Sequence, residues 1–211
     1  NAFDKVFLET ALRGALSRNE FSVVYQPQIC IKKGHLAGME ALVRWNHPEL
    51  GSVSPAVFIP IAEANGLIHD IGTWVLSDAC KQGKIWLDNK LNFGRIAVNI
   101  AGPQVIKAGF PKLVSDVLIK TRFPAENLEL EVTEGFIMQD IERAIQQLHE
   151  LRTMGIQLAI DDFGTGYSSL SYLKKLPIHR LKIDQSFVMD IPDDEDDMAI
   201  TDAIIALGMA L

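Results

Sequence analysis

The sequence predicts an α/β fold, a parallel sheet closing toward a (β/α) barrel and wrapped by helices. Two patterns carry this reading. Strand-like segments at 95–101 (RIAVNIA), 128–133 (LELEVT), 156–161 (IQLAID) and 180–184 (RLKID) alternate with helical periodicity at about 110–121, 139–153 and 197–211. Such alternation implies parallel strands joined by crossover helices. Second, these four strands end in polar residues: Asn99, Glu131 with Glu134, Asp161 with Asp162, and Lys182 with Asp184. In a barrel, strand C-termini meet on one rim, whereas an open sheet would spread them along an edge. A barrel of this kind takes roughly 250 residues. Six strands in 211 residues, a start at Asn1 without Met, and an apolar end at AIIALGMAL lead us to expect an excerpt of a longer protein that lacks the last one or two βα units.

The elements follow in order. Residues 3–18 recur apolar at Phe3, Phe7, Leu8, Ala11, Leu12 and Ala15, a leading amphipathic helix. Strands are expected at 21–29 and 36–45 around the turn Lys33-Gly34-His35. Residues 55–90 read as two helices broken at Asn65-Gly66, the first opened by Ser54 as N-cap and Pro55 as first helical residue. No low-complexity linker interrupts the chain, so residues 1–211 are read as one domain.

Composition narrows the function classes. With 20 Lys+Arg against 27 Asp+Glu, a net charge of -7 and 48% hydrophobic residues, the chain is an ordinary globular one without a basic footprint. Binding to a nucleic-acid polymer is therefore not expected, while a small phosphorylated ligand is compatible. No apolar stretch approaches the roughly 20 residues of a membrane span, and no signal segment opens the chain. Two cysteines, Cys30 and Cys80, suit a reducing compartment, and a cytoplasmic location is expected.

The acidic set Glu40, Glu131, Glu134, Asp161 and Asp162, with Asn99, offers only oxygen donors. Oxygen donors suit magnesium, manganese or calcium, and the five histidines include no pair at zinc-ligand spacing. Adjacent carboxylates such as Asp161-Asp162 repel unless cations lie between or beside them, and a shared carboxylate can bridge two metals that cleave a phosphate ester. Any one of these acids alone reads as a helix cap or a solvated loop residue; their recurrence at strand ends is what makes a site. The loop Phe163-Gly164-Thr165-Gly166-Tyr167-Ser168-Ser169 reads as a lid or a phosphate contact, or as an ordinary βα turn. Lys182, between Leu181 and Ile183, faces away from both; it reads as a residue that orients or deprotonates water, with its pKa lowered by cations, or as the partner of a barrel carboxylate. Gln26 and Arg44 lie on strands, and Arg44 can fork onto a phosphate. The run from Asp193 to Asp197 reads as the acidic start of the last helix, and Trp45, Trp74 and Trp86 as packing residues.

Together these residues resemble the EAL-domain family of cyclic di-GMP phosphodiesterases. The matches are Tyr25-Gln26-Pro27, Glu40-Ala41-Leu42 within EALVRW, Phe58-Ile59-Pro60 with Ala62-Glu63, Val98-Asn99-Ile100, Glu131-Val132-Thr133-Glu134, DDFGTGYSSL from Asp161, and Leu181-Lys182-Ile183-Asp184. They run in family order over nearly the whole chain; Ala101 stands where the family usually has Ser. The resemblance implies a TIM-like barrel whose first strand is antiparallel, and a two-metal hydrolysis of one phosphodiester bond of cyclic di-GMP to linear pGpG. It implies that Glu40, Asn99, Glu131 and Asp161 ligate one Mg2+ or Mn2+ and that Asp161 and Asp162 serve a second, with Ca2+ an inhibitory occupant. By the same carry-over Lys182 positions or activates water, Gln26, Leu42 and Arg44 contact substrate, and Glu134 supports the loop after Asp162. An upstream sensory or GGDEF domain and a homodimer are the partners expected. The competing functions are a cyclic di-GMP receptor without turnover and a protein-interaction module.

Overall fold

Two long strands with alternating side chains start the sheet. β1 (Phe21–Cys30) and β2 (His35–His47) pair antiparallel, with Gln26 opposite Glu40, and a short β3 (Gly51–Val53) adds to β2. β4 (Arg95–Ile100), β5 (Leu128–Thr133), β6 (Gln157–Phe163) and β7 (Arg180–Ile183) then join in chain order, each parallel to its neighbour and β4 parallel to β2. The structure is a computed structural model and describes residues 2–137, 140–166 and 170–210. Within them the sheet runs β1-β2-β4-β5-β6-β7, with β1 and β7 at its two ends. The first strand is thus antiparallel and β2, β4, β5, β6 and β7 form a barrel-like parallel arrangement, as expected, while β3 adds antiparallel to β2.

The sequence of β5, LELEVT, shows why the sheet curls. Leu128, Leu130 and Val132 point outward onto helices and are buried, while Glu129 and Glu131 point inward and are buried as well. Each fully buried Leu or Ile of the outer face contributes about 1.5–3 kcal/mol. Ile96, Val98, Leu158 and Ile160 of β4 and β6 repeat the outer pattern, and Ala97 and Ala159 line the inner one. On β1 the outer face packs on α3 (Ile68–Asp88) through the edge-on contact of Tyr25 with Trp86, ring centroids 4.7 Å apart. α3 meets the sheet through Ile68, Ile71, Val75, Leu76, Ala79 and Cys80. After the single turn α4 (Gly102–Val105), α5 (Phe110–Thr121) and α7 (Ile141–Thr153) cover the neighbouring strands with Val114, Leu118, Leu148 and Leu151, and the single turns α6 (Glu134–Ile137) and α8 (Leu170–Leu173) follow β5 and β6. Among the described residues no helix is long and apolar enough to cross a membrane.

The predicted punctuation holds at α2 (Pro55–Asn65): Pro55 opens it after Ser54, and Gly66 closes it at φ 78°, a conformation that glycine adopts without a Cβ clash. Elsewhere the boundaries move. α1 (Ala2–Ala15) stops three residues early, because Asn19 turns left-handed at φ 55° and the Glu20 amide bonds to the Ala15 carbonyl. The last helix, α9 (Glu195–Ala210), begins two residues early, because the Asp194 carboxylate accepts the amides of Asp196 and Asp197 at 2.9 and 3.0 Å. The acidic run is therefore a cap and first turn, as expected. Trp45 is fully buried and Trp74 and Trp86 pack against the core.

Candidate active site

The C-terminal ends of the parallel strands bring the acids together. Glu40 on β2, Glu131 on β5 and Asp161 on β6 offer carboxylate oxygens that all lie within 4.8 Å of one another. Asn99 at the end of β4 donates from Nδ2 to Glu40 Oε1 at 2.8 Å. Lys182 on β7 reaches the centre of this group: its Nζ lies 3.0 Å from Asp161 Oδ2 and 3.3 Å from Glu40 Oε2, and it pairs with Glu131 Oε2. Five residues separated by up to 142 positions thus share one point because their strands share one rim.

Burial sets the electrostatics. The Glu131 carboxyl is pushed up to about 7, first by desolvation, which the Lys182 ammonium offsets only in part while Glu40 and Asp161 add to it. Burial pulls the Lys182 ammonium the other way, but Glu131, Asp161 and Glu40 outweigh it and the pKa is raised. Of the two sequence readings of Lys182, these contacts are those of the second, the partner of barrel carboxylates.

The donor set fits a hard divalent cation. Glu40, Glu131 and Asp161 present carboxylate oxygens, Asn99 meets them through the amide nitrogen it donates to Glu40, and Glu131 Oε1 is buried without a hydrogen-bond partner among the described residues. An orphaned carboxylate oxygen is costly in the interior, and a metal ion is the partner that would relieve it. Asp162 is brought to the same rim by an unusual backbone. At φ 52° it leaves the strand alternation that would turn it away from Asp161, and its amide bonds to Asp161 Oδ1 at 3.0 Å. Desolvation, then Asp161 and Asp184, raise the Asp162 carboxyl above the usual range.

Glu134, buried at the start of α6 (Glu134–Ile137), accepts the Gly164 amide at 2.9 Å and the Gly166 amide at 3.4 Å through Oε2. A side chain on Gly166 would place its Cβ 3.0 Å from the Glu134 carboxyl carbon, so the loop lies close because it lacks one. The remainder of the expected lid, Tyr167 to Ser169, lies outside the described residues.

Beside the carboxylates opens a cavity of about 560 Å³, whose walls include Leu42, Arg44, Pro55, Ile59, Asn99 and Glu134. Arg44 donates to the Val43 carbonyl at 2.9 Å and has no carboxylate partner among the described residues. Gln26 stands opposite Glu40 on β1, on the same face of the sheet, but it is not among the residues that line the cavity. Sequence reasoning named Glu63 in a family match without giving it a role, though it also lines this cavity, and passed over the inward-facing charges one layer below the carboxylates. Strand parity was the available signal for those charges, since they stand two residues before Glu131 and Lys182.

Fold and site together define a barrel-type domain with an acidic, lysine-containing rim, and the chain belongs to the EAL domain family, which residues 9–211 match. It is 44% identical over 211 residues to the bifunctional diguanylate cyclase/cyclic di-GMP phosphodiesterase MucR of Pseudomonas aeruginosa, covering all of this chain and 31% of that protein. It is 42% identical over 210 residues to the cyclic di-GMP phosphodiesterase NbdA of the same species, again over all of this chain and 27% of the relative. The chain therefore spans about a third or less of these curated relatives. Among solved structures, the MucR phosphodiesterase in complex with c-di-GMP superposes with a TM-score of 0.92 at 44% identity, covering 96% of this chain and 82% of that one. The Pseudomonas aeruginosa FimX EAL domain bound to c-di-GMP gives 0.84 at 27% identity, over 94% and 79%.

Proposed function

We propose that this domain hydrolyses one phosphodiester bond of cyclic di-GMP, giving linear pGpG, with Mg2+ or Mn2+ as cofactor. The observation that carries the reading is the convergence of Glu40, Asn99, Glu131, Asp161 and Lys182 on one point of the rim, beside a cavity of nucleotide size. Likeness to the MucR phosphodiesterase, whose structure is a c-di-GMP complex, supports the substrate.

Glu40, Asn99, Glu131 and Asp161 would hold one cation, and Asp161 with Asp162 a second. Such ions supply charge stabilisation at a phosphate and a more acidic water. The chain's own residues do the rest. Arg44, which has no carboxylate partner among the described residues, binds a phosphate of the substrate, and Leu42, Pro55 and Ile59 exclude water from one guanosine half. Gln26, opposite Glu40, contacts the substrate backbone from β1. Lys182, beside the carboxylates that would hold the cation, orients the attacking water by hydrogen bonding. Glu134 fixes the loop at Gly164 and Gly166 and so the placement of Asp162.

The test separates these roles. Lys182→Ala should lower turnover by ~10² to 10³ with little change in cyclic di-GMP affinity, while Arg44→Ala should chiefly raise KM. The opposite pattern would exchange their roles, and the absence of pGpG from the wild-type protein in manganese would end the reading.

A further inference from the structure

One layer below the rim, the interior holds a second set of charges that the mechanism above does not use. Glu129 on β5 is wholly buried, two residues before Glu131, and its two oxygens are shared between Arg95 Nε at 2.8 Å and Arg180 Nε at 3.0 Å. Arg95 on β4 also donates to the Ala37 carbonyl at 2.9 Å and to Gln28 Oε1 at 2.8 Å, which ties in β2 and β1. Gly38 leaves room for this crossing: a Cβ there would lie 2.9 Å from Gln28 Oε1 and 3.1 Å from Arg95 Cγ. The belt thus links five strands, and Arg180 stands on β7 two residues before Lys182.

β7 is the strand that most needs such a tie. Its ladder to β6 holds only Ala159 to Arg180, Ile160 to Leu181 and Phe163 to Ile183, with a register shift in between. A ladder so short and irregular fixes the position of a strand along its axis weakly. The Arg180–Glu129 pair reaches past β6 to β5, and two residues further along both strands, about 7 Å at strand rise, Lys182 meets Glu131. The lower pair therefore sets the height of the upper one.

We propose that Glu129 is a positioning residue for Lys182: by holding Arg180 in the base of the barrel it fixes β7, and with it the placement of the Lys182 ammonium among Glu40, Glu131 and Asp161. This rests on the phosphodiesterase reading only for its kinetic consequence. A buried acid that merely stabilised the fold would act independently of Lys182, whereas a residue acting through Lys182 loses its effect once the lysine is gone.

The experiment is a double-mutant cycle in the full-length natural protein. Glu129→Gln should lower kcat by roughly tenfold at nearly constant KM, and the same change in a Lys182→Ala background should alter kcat less than about twofold. Equal losses in both backgrounds, or no loss of kcat in the single variant, would overturn the proposal. Should Glu129→Gln fail to fold, Arg180→Ala removes the same contact from a half-exposed side chain and the same cycle applies. A second readout does not need turnover: the 15N-ammonium resonance of Lys182, identified by its loss in Lys182→Ala, should shift and exchange faster with water in Glu129→Gln. An unchanged resonance would overturn the positioning role even if the wild type proved unable to hydrolyse cyclic di-GMP, an outcome that would by itself defeat only the proposed function.

Discussion

Replacing Lys182 by Met removes the cation from three carboxylates while keeping the apolar stem of the side chain. In the wild type Nζ lies 3.0 Å from Asp161 and 3.3 Å from Glu40 and pairs with Glu131, and the three acids have oxygens within 4.8 Å of one another. Two unit charges ~4 Å apart interact by about 4 kcal/mol at an effective dielectric constant of ~20. Three unscreened like-charge pairs would exceed 10 kcal/mol by the same arithmetic, so solvent and proton uptake must relieve most of it. Removing one partner of a buried pair costs about 3–5 kcal/mol. Glu40 and Asp161 retain 17% and 19% side-chain exposure, which places the expected loss at the lower end, ~3 kcal/mol. For a domain of this size that lowers Tm by roughly 6–12 °C. Divalent cations replace the missing charge, so manganese at ~100 times its Kd should return about 2.7 kcal/mol, and more Tm in the variant than in the wild type. The assay is calorimetry of both proteins in EDTA and in manganese. If Lys182→Met in EDTA melts within about 2 °C of the wild type, or manganese raises both equally, Lys182 does not hold the acidic cluster together.

Other outcomes follow from single contacts. Gly94→Ala should cost more than ~3 kcal/mol in urea unfolding, because Gly94 has φ 77° and a Cβ there would lie 2.2 Å from the Ala37 carbonyl oxygen, a backbone atom that cannot move aside; a variant of normal stability would refute this. Glu134→Ala releases the Gly164 and Gly166 amides, so hydrogen exchange at 164–166 should accelerate and turnover should fall about tenfold, and unchanged exchange would show that the loop does not depend on Glu134. The pKa of His179 is lowered, first by burial, and its Nδ1 accepts the Leu158 amide at 3.1 Å. The folded state therefore binds fewer protons there than the unfolded one, so this contribution is complete above the ordinary histidine range and is lost as pH falls through the folded value. Stability measured from pH 8 to 5 should decline more steeply in the wild type than in His179→Gln, and parallel curves would contradict the assignment.

Much of this arrangement is legible in the sequence because it rests on strand parity. LELEVT declares an outer Leu128, Leu130 and Val132 and an inner Glu129 and Glu131 before any coordinates exist, and RLKID does the same for Lys182. Parity does not give height, however. Glu129 and Glu131 look alike in the string, and only the register of β5 against β4 and, through β6, against β7 sends one to Arg95 and Arg180 and the other to Lys182. β3 passed unnoticed because three residues carry no periodicity; it exists because Val53 pairs with Trp45. The adjacent acids Asp161 and Asp162 were legible as a pair, but strict alternation would have put them on opposite faces. The left-handed Asp162 backbone that reconciles them is a local strain no composition rule announces. The pairing of Lys182 with a barrel carboxylate was legible from its place on the strand, but that three carboxylates share it follows only from the meeting of β2, β5 and β6 at the rim.

The most direct measurement is the fate of cyclic di-GMP mixed with the protein in manganese, followed by chromatography of the nucleotide, in the wild type and in Glu131→Gln. The account predicts quantitative conversion to pGpG by the wild type and a rate at least ~10²-fold lower in the variant, which lacks one buried oxygen donor of the rim. Tight binding with cyclic di-GMP recovered intact from the wild type would contradict it and make the domain a receptor.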